Sequence, residues 1–221
     1  SRLATTEEQV GDALRATGMA KQVWVTTKLA QLRSRTMIRH ASPFEESVGK
    51  LGVDVVDMYL IHWPLPQSIS TRRHGRRCSN CKRKVLSAWL ASVTSFPSIF
   101  RLLSMIPVET PTVNQIEVHP RFSQPDNLAF CKAHGITVEA YSPLGHGKDI
   151  ESEPVVSAAE AHNVTPAQVV LRWHTQEGRI IIPKSKHVER MKSNLASASF
   201  DLTATELAAI DALHDPKGNV S

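Results

Sequence analysis

The stretch Ile180-Ile181-Ile182-Pro183-Lys184-Ser185 decides the fold, because it predicts a β-strand that ends in a cationic pocket. Three consecutive β-branched residues after Gly178 are typical of a short, fully buried strand, and Pro183 ends the strand where a missing N–H does no harm. Lys184 and Ser185 are therefore expected at the carboxyl end of that strand.

The residues after this strand predict a phosphate site. His187 to Leu195 has the spacing of a helix, with Val188, Met191 and Leu195 at i, i+3 and i+7. Arg190 lies in the first turns of that helix, so a lysine, a hydroxyl and an arginine converge where backbone N–H groups are free. Such a set binds a phosphate monoester through charge and through the helix terminus. A solvated basic loop is the alternative interpretation.

The composition describes a chain of 221 residues, which is long enough to bury one sizeable core, and we expect a single domain over residues 1–221. No apolar run approaches the roughly 18 residues of a membrane span, so no membrane partner is expected. No signal peptide is apparent, and three cysteines without regular spacing favour a reducing compartment. We therefore predict a cytoplasmic protein, and we expect it to be a monomer.

The net charge of +5 comes from two short windows of the chain. Residues 58–108 contain eight cations and no acid, and seven of those cations lie within Arg72–Lys84. Residues 29–44 add three arginines, again without an acid. The other residues carry 15 cations against all 21 acids, so the body of the protein is acidic. The basic windows, and not the whole surface, therefore raise the question of a nucleic-acid partner.

Outside those windows, helical and strand patterns alternate along the chain. The predicted strands are Val23–Lys28, Asp57–Pro64, Val113–Pro120 and Ile136–Tyr141, and the predicted helices are Glu7–Thr17, Pro43–Leu51, Asn127–His134, Pro154–His162, Pro166–Gln176 and Ala204–Leu213. This alternation predicts an α/β fold with a parallel sheet. Residues 67–106 show no dependable helical or strand period, so no element is predicted there.

The glycines help to choose between a barrel and a doubly wound sheet. Gly145-His146-Gly147 lacks a third glycine at Ile150, so the dinucleotide fingerprint fails, and Gly147-Lys148 lacks the following hydroxyl of a P-loop. A (β/α)8 TIM-type barrel remains, and in such barrels the chemistry collects at the carboxyl ends of the strands. The polar residues at or near those ends are Lys28, His62, Asn114, Gln115, His119, Tyr141, Lys184 and Ser185.

Five phrases of the sequence resemble the aldo-keto reductases and occur in that family's order. They are Thr26–Leu29, Leu60–Pro64, Asn114–Pro120, Tyr141–Gly145 and Ile182–Ser185. Within the family, the chain is similar to members related to 2,5-diketo-gluconate reductase and prostaglandin F synthase. The resemblance covers residues 7–28, 44–66 and 111–216.

The resemblance implies NADPH-dependent reduction of an aldehyde or ketone, with a small-molecule carbonyl compound as the partner. Lys28 matches the lysine that lowers the pKa of the family's general-acid tyrosine. His62 matches the histidine that orients the carbonyl and can relay a proton. Without the resemblance, Lys28 would be interpreted as a surface charge and His62 as a core histidine.

The resemblance also assigns the NADPH contacts, and no metal site is expected. Asn114 and Gln115 match the residues that hold the carboxamide, and Tyr141 matches the ring on which the nicotinamide stacks. Ser142 and Leu144 match positions along the pyrophosphate. The residues that match the surroundings of the 2′-phosphate and adenine are Lys184, Ser185, Arg190 and Asn194. Ser193 departs from the Glu or Gln usual in the family, which should loosen the adenine contact.

The catalytic Asp and Tyr of the family lie upstream of the helix that begins here near Thr6, so both are expected to be absent, together with the first barrel strands. Tyr59 cannot replace the acid, because it lies three residues before His62 and on the opposite side of a period-two strand. The expectations are thus an incomplete barrel and slow reduction, with a catalytically inactive cofactor-binding remnant as the alternative.

Residues 29–44 and 67–110 depart from the family pattern. A shift of reading frame in a GC-rich gene would produce an amino-acid sequence of this kind, rich in Arg, Ser, Pro and Cys. A genuine insertion is the alternative, in which Arg72–Lys84 would be a nucleic-acid or nuclear-import patch. His74, Cys78 and Cys81 as zinc ligands are a third interpretation, which a single Cys-x-x-Cys supports weakly.

Overall fold

The computed structural model describes residues 2–29, 43–61, 85–88 and 112–220. The chain forms two compact units: residues 2–29, 43–61, 85–88 and 112 belong to the first, and residues 113–220 to the second. Every strand pairing within the described sheets is parallel, so the predicted α/β class with parallel sheets is confirmed.

The first unit contains a parallel sheet in the order β1-β2-β3. Its elements are α1 (Arg2–Thr17), β1 (Thr26–Leu29), α2 (Pro43–Leu51), β2 (Val56–Ile61) and β3 (Val85–Ala88). In register, Thr26 lies beside Met58 and Lys28 beside Leu60. The helix predicted at residues 43–51 is confirmed, and the two predicted strands are confirmed with different bounds: β1 begins at Thr26 and β2 at Val56, and residues 62–64 lie outside the described ranges.

The two helices described in the first unit cover one face of its sheet. Phe44 of α2 contacts Tyr59 of β2 edge to face, with ring centroids 5.0 Å apart, inside a buried cluster that also contains Leu14 of α1. The Thr27 hydroxyl donates a hydrogen bond to Glu7 Oε1 of α1 at 2.5 Å. Thr27 and Tyr59 therefore point toward the helices, and Tyr59 is a core residue, in line with its exclusion as the general acid.

The second unit contains a parallel sheet in the order β4-β5-β6. Its elements are β4 (Val113–Glu117), α3 (Pro125–Ala133), β5 (Thr137–Tyr141), α4 (Glu153–His162), α5 (Pro166–Gln176), β6 (Ile180–Ile181), α6 (Val188–Leu195) and α7 (Ala204–Asp211). All of these were predicted, with bounds that differ by a few residues. Helix α5 begins at a capping box in which Thr165 and Gln168 bond each other's backbone N–H groups.

The strand at Ile180 differs from its prediction. It is two residues long, and the side chains of Ile180 and Ile182 are 43% and 40% exposed, so the prediction of a fully buried strand is wrong. The reason is position: β6 ends the described sheet and pairs with β5 alone. Helix α6 forms as predicted, but its apolar residues Val188 and Leu195 are 63% and 81% exposed.

Strand β3 lies inside the stretch for which no element was predicted, so that expectation is wrong at Val85–Ala88. Val85 lies beside Val56 and Ser87 beside Met58. Strand β3 forms because it pairs with the backbone of β2. The sequence pattern of four residues does not show that a partner strand lies beside them. The remaining residues of the two basic windows, including the Arg72–Lys84 cluster with His74, Cys78 and Cys81, lie outside the described residues, apart from residues 29, 43–44 and 58–61.

The described residues contain neither a membrane-spanning helix nor a cluster of metal ligands. Among residues 2–29, 43–61, 85–88 and 112–220, no helix is long and apolar enough to cross a bilayer. The same ranges hold no group of three or more His, Cys, Asp or Glu side chains arranged as metal ligands.

Two helical glycines of the first unit should respond oppositely to alanine. A Cβ at Gly11 would lie 2.5 Å from the carbonyl oxygen of Lys50, whereas a Cβ at Gly49 would meet nothing within 4 Å. We expect Gly11→Ala to lower the free energy of unfolding by about 1–3 kcal/mol through overpacking. Gly49→Ala should raise it by about 0.5–1 kcal/mol, because alanine has less backbone freedom to lose. Urea unfolding measures both, and a shift of the same sign would contradict this packing of α1 on α2.

Candidate functional site

Lys28 lies next to the carboxyl end of β1 and is half-buried. Since Thr27 points toward α1, the alternation of side chains along a strand places Lys28 on the opposite face of the sheet. Leu60 lies beside it in register and is fully buried on that same face. The predicted catalytic lysine is thus on the sheet face away from the helices, whereas His62 lies outside the described residues.

The two amides predicted to hold a carboxamide point to opposite faces of β4. Asn114 Nδ2 donates to the Cys131 thiol of α3 at 3.6 Å, while Gln115 Nε2 donates to Glu139 Oε1 of β5 at 3.0 Å. Burial raises the pKa of the Cys131 thiol, so Asn114 faces a neutral sulfur in the helix layer. The structure therefore does not bring Asn114 to the side of the sheet that Gln115 faces, because neighbours on a strand alternate.

Tyr141 is the last residue of β5 and is half-buried. It lies two residues after Glu139, so Tyr141, Glu139 and Gln115 share the sheet face that α3 does not cover. A half-buried aromatic ring at a strand's carboxyl end, beside a buried amide and carboxylate, can accept a flat polar ring.

The residues that follow Tyr141 form a tightly turned loop, which we call the β5 loop (Tyr141–Gly147). Ser142 has φ 48° and His146 has φ 53°, both in the left-handed region that non-glycine residues seldom adopt. Within the loop, Pro143 and Gly145 are buried, while Tyr141, Ser142 and Leu144 are half-buried. The three residues predicted to contact the cofactor are therefore more accessible than Pro143 and Gly145, which anchor the loop.

A buried ionisable cluster lies directly beneath Gly145. His119 Nδ1 is 2.7 Å from Asp149 Oδ2, and His119 Nε2 is 3.3 Å from Glu117 Oε1. A Cβ at Gly145 would lie 1.7 Å from Asp149 Oδ2, so only glycine fits there. His119, which the sequence placed among the strand-end polar residues, is thus enclosed between two carboxylates under the loop.

A second buried histidine supports the β5 loop from α5. His174 is fully buried, and its Nε2 lies 3.1 Å from the carbonyl oxygen of Pro143. Burial, with the charge of Arg179 as a second cause, lowers the pKa of His174 to about 3. The imidazole is therefore neutral near pH 7, and its Nε2–H donates to the Pro143 carbonyl.

Of the predicted 2′-phosphate residues, Lys184, Ser185 and Arg190 lie around the start of α6, and Asn194 lies near its end. Lys184 and Arg190 are exposed, Asn194 is half-buried, and the Ser185 hydroxyl accepts a hydrogen bond from the His187 N–H at 3.1 Å. Within the described ranges no carboxylate pairs with Lys184 or Arg190. Two accessible cations without a carboxylate partner can bind a phosphate.

Comparison with known proteins identifies the family. The sequence matches the Aldo/keto reductase family over residues 3–149 and 150–215, so the chain belongs to that family. It is therefore an oxidoreductase, and its family implies a (β/α)8 barrel. The matched ranges include both windows that depart from the family's phrases.

Individual relatives agree with this assignment. The chain is 38% identical over 213 residues to an aldo-keto reductase of Mycobacterium sp. (strain JLS), covering 95% of this chain and 76% of the relative. It is 33% identical over 217 residues to the 9,11-endoperoxide prostaglandin H2 reductase of Trypanosoma cruzi (strain CL Brener), covering 96% and 75%. A solved variant of Gox0644 in complex with NADPH has a TM-score of 0.86 and 34% identity, covering 97% of this chain and 78% of that protein.

Three residues of the site region escaped the sequence analysis, namely Glu139, Asp149 and His174. Each is a polar residue buried within an apolar or mixed segment, and its partner lies on another element. The one local signal was at His174, which follows Val170 by four residues and so falls on the buried face of α5.

The pH dependence of stability should report the burial of His174. Below pH 6.5 His174 is protonated in the unfolded chain, whereas in the folded chain it stays neutral down to about pH 3. Because the unfolded chain then binds the extra proton, the free energy of unfolding is highest above pH 6.5 and falls as the pH decreases towards 3. We expect wild-type protein to lose up to about 1.4 kcal/mol more per pH unit in this window than His174→Gln. Urea unfolding between pH 7.5 and 4.5 measures both slopes, and equal slopes would contradict a neutral, buried His174.

Proposed function

We propose that this chain is an NADPH-dependent reductase of aldehydes or ketones, formed as one oxidoreductase domain over residues 1–221. One observation carries the proposal: Lys28, Gln115 and Tyr141 lie on the sheet faces opposite those on which the helices pack, in a chain of the aldo/keto reductase family. A small carbonyl compound is the substrate class, and a monomeric cytoplasmic enzyme remains our prediction.

The described residues suit a dinucleotide with a 2′-phosphate. Lys184 and Arg190 offer charge-assisted donors, Ser185 and Asn194 add polar groups, and the accessible side of the β5 loop offers Ser142 and Leu144 to a pyrophosphate. Tyr141 would stack on the nicotinamide. Gln115 is the better candidate for the carboxamide, because Asn114 points to α3. When bound, NADPH supplies the hydride.

This chain's own contribution to the chemistry centres on Lys28. Negative charge develops on the carbonyl oxygen as hydride arrives, and a fixed ammonium group at a strand end stabilises that charge. The same charge lowers the pKa of a neighbouring acid, which is the role implied by the family. His62 is assigned to orienting the carbonyl and lies outside the described residues.

A cofactor-binding chain with little turnover is the second candidate, and a specific observation favours it. The 221 residues contain two tyrosines. Tyr59 is buried in the helix-side core, and Tyr141 is assigned to the nicotinamide. Neither is then available as the general acid, so reduction by these residues alone would be slow.

Cofactor selectivity tests the 2′-phosphate site. Arg190→Ala removes a charged donor that pairs with no carboxylate among the described residues, and it should weaken NADPH binding by about 1.5–3 kcal/mol, with NADH almost unaffected. Lys192→Ala removes the same charge from the same helix, but Lys192 already pairs with Glu189 at 3.0 Å, so it serves as the control with a small effect. Quenching of tryptophan fluorescence gives both dissociation constants. Equal losses for NADPH and NADH in Arg190→Ala would refute the site.

Turnover tests the reductase itself. NADPH oxidation with 4-nitrobenzaldehyde should fall about 10²–10³-fold in Lys28→Met, since a charge fixed at the reacting oxygen is lost. NADPH affinity should stay unchanged, and Lys21→Met, which changes an exposed lysine of the same unit, should behave as wild type. Wild-type protein that binds NADPH but shows no oxidation would support the second candidate against the first.

A further inference from the structure

The β5 loop is strained and needs support from outside itself. Positive φ angles are energetically unfavourable for non-glycine residues, and Ser142 and His146 both adopt such angles. Two backbone hydrogen bonds close the loop internally, from Gly145 N to Ser142 O at 2.9 Å and from Gly147 N to Leu144 O at 2.8 Å. Such conformations persist only where the surrounding structure determines them.

The support at the centre of the loop comes from α5. His174 Nε2 is 3.1 Å from the carbonyl oxygen of Pro143, although the two residues are 31 positions apart in sequence. Proline has no N–H, so this carbonyl is the only backbone hydrogen-bonding group that Pro143 has. Its bond to a fully buried imidazole therefore fixes the middle of the loop to the core.

The imidazole is itself held in one orientation. His174 contacts the ring of Trp173 at 4.5 Å between centroids, and Trp173 Nε1 donates to Asp211 Oδ1 at 2.8 Å. His174 Nδ1 is buried and has no hydrogen-bond partner among the described residues. The proton that the Pro143 carbonyl needs must therefore be on Nε2, which leaves Nδ1 as a bare acceptor.

Pro143 lies between Ser142 and Leu144, the two residues proposed to contact a pyrophosphate. We propose that His174 is a positioning residue for dinucleotide binding: through the Pro143 carbonyl it holds Ser142 and Leu144 where a pyrophosphate meets them. This role rests on the proposed function. It predicts a local effect, because the Lys184 and Arg190 site for the 2′-phosphate lies on other elements.

Two amide variants of His174 test this role. In His174→Gln the side-chain Nε2 occupies the place of the imidazole Nε2 and can still donate to Pro143, whereas the shorter amide of His174→Asn cannot reach. NADPH should bind about three- to ten-fold more weakly to His174→Asn and within about two-fold of wild type to His174→Gln. Adenosine 2′,5′-bisphosphate, which lacks the pyrophosphate and nicotinamide, should bind all three proteins equally. Parallel weakening of both ligands, or an unchanged NADPH affinity in His174→Asn, would overturn the positioning role.

Two ligand-free measurements separate this inference from the proposed function. The amide hydrogens of Gly145 and Gly147 should exchange faster in His174→Asn than in wild type and His174→Gln, and equal protection would overturn the inference even if NADPH bound none of them. In the wild type, ¹⁵N NMR should show the His174 proton on Nε2. A proton on Nδ1 would overturn it without any variant. Failure of wild-type protein to bind either ligand would refute the proposed function alone.

Discussion

Parallel strand pairing is the constraint on which the candidate site depends. In each unit it brings the carboxyl ends of neighbouring strands to one edge of the sheet, and the period of two sends alternate side chains to opposite faces. Thr27 and Asn114 face helices, so Lys28 and Gln115 face away from them. A shift of one residue in either register would reverse this division and send the lysine into the helix layer.

Buried polar groups of the second unit support the loop that follows β5. Asp149, His119 and Glu117 lie in line beneath Gly145, and His174 meets the Pro143 carbonyl from α5. Burying such groups is costly unless they find partners, so the contacts among them favour this conformation over alternatives that would separate them. The same packing explains why glycine is required at residue 145.

The charged groups of the proposed 2′-phosphate site are exposed, whereas those beneath the β5 loop are buried. Lys184 and Arg190 are exposed at the start of α6, where a ligand can reach them and where holding them apart from carboxylates costs little. The apolar residues of α6 are exposed as well, so this helix contributes little to the core of its unit. The buried groups under the β5 loop thus hold the backbone of that loop in place, while the exposed cations around α6 are available to bind a phosphate.

The sequence by itself determined the alternation of helices and strands, the parallel class, the family and the positions of Lys28 and Tyr141 at or next to strand ends, because periodicity and turn residues act locally. Gln115, which was expected at or near such an end, lies at the centre of β4. Tertiary structure alone decided that β3 forms, that Ile180 is exposed, and that Asn114 faces α3. It also decided that His174 meets Pro143, since a hydrogen bond between residues 31 positions apart depends on how α5 packs against the sheet. Local pattern specifies which way a side chain points along its own element, whereas its partner is set by the elements that pack against it.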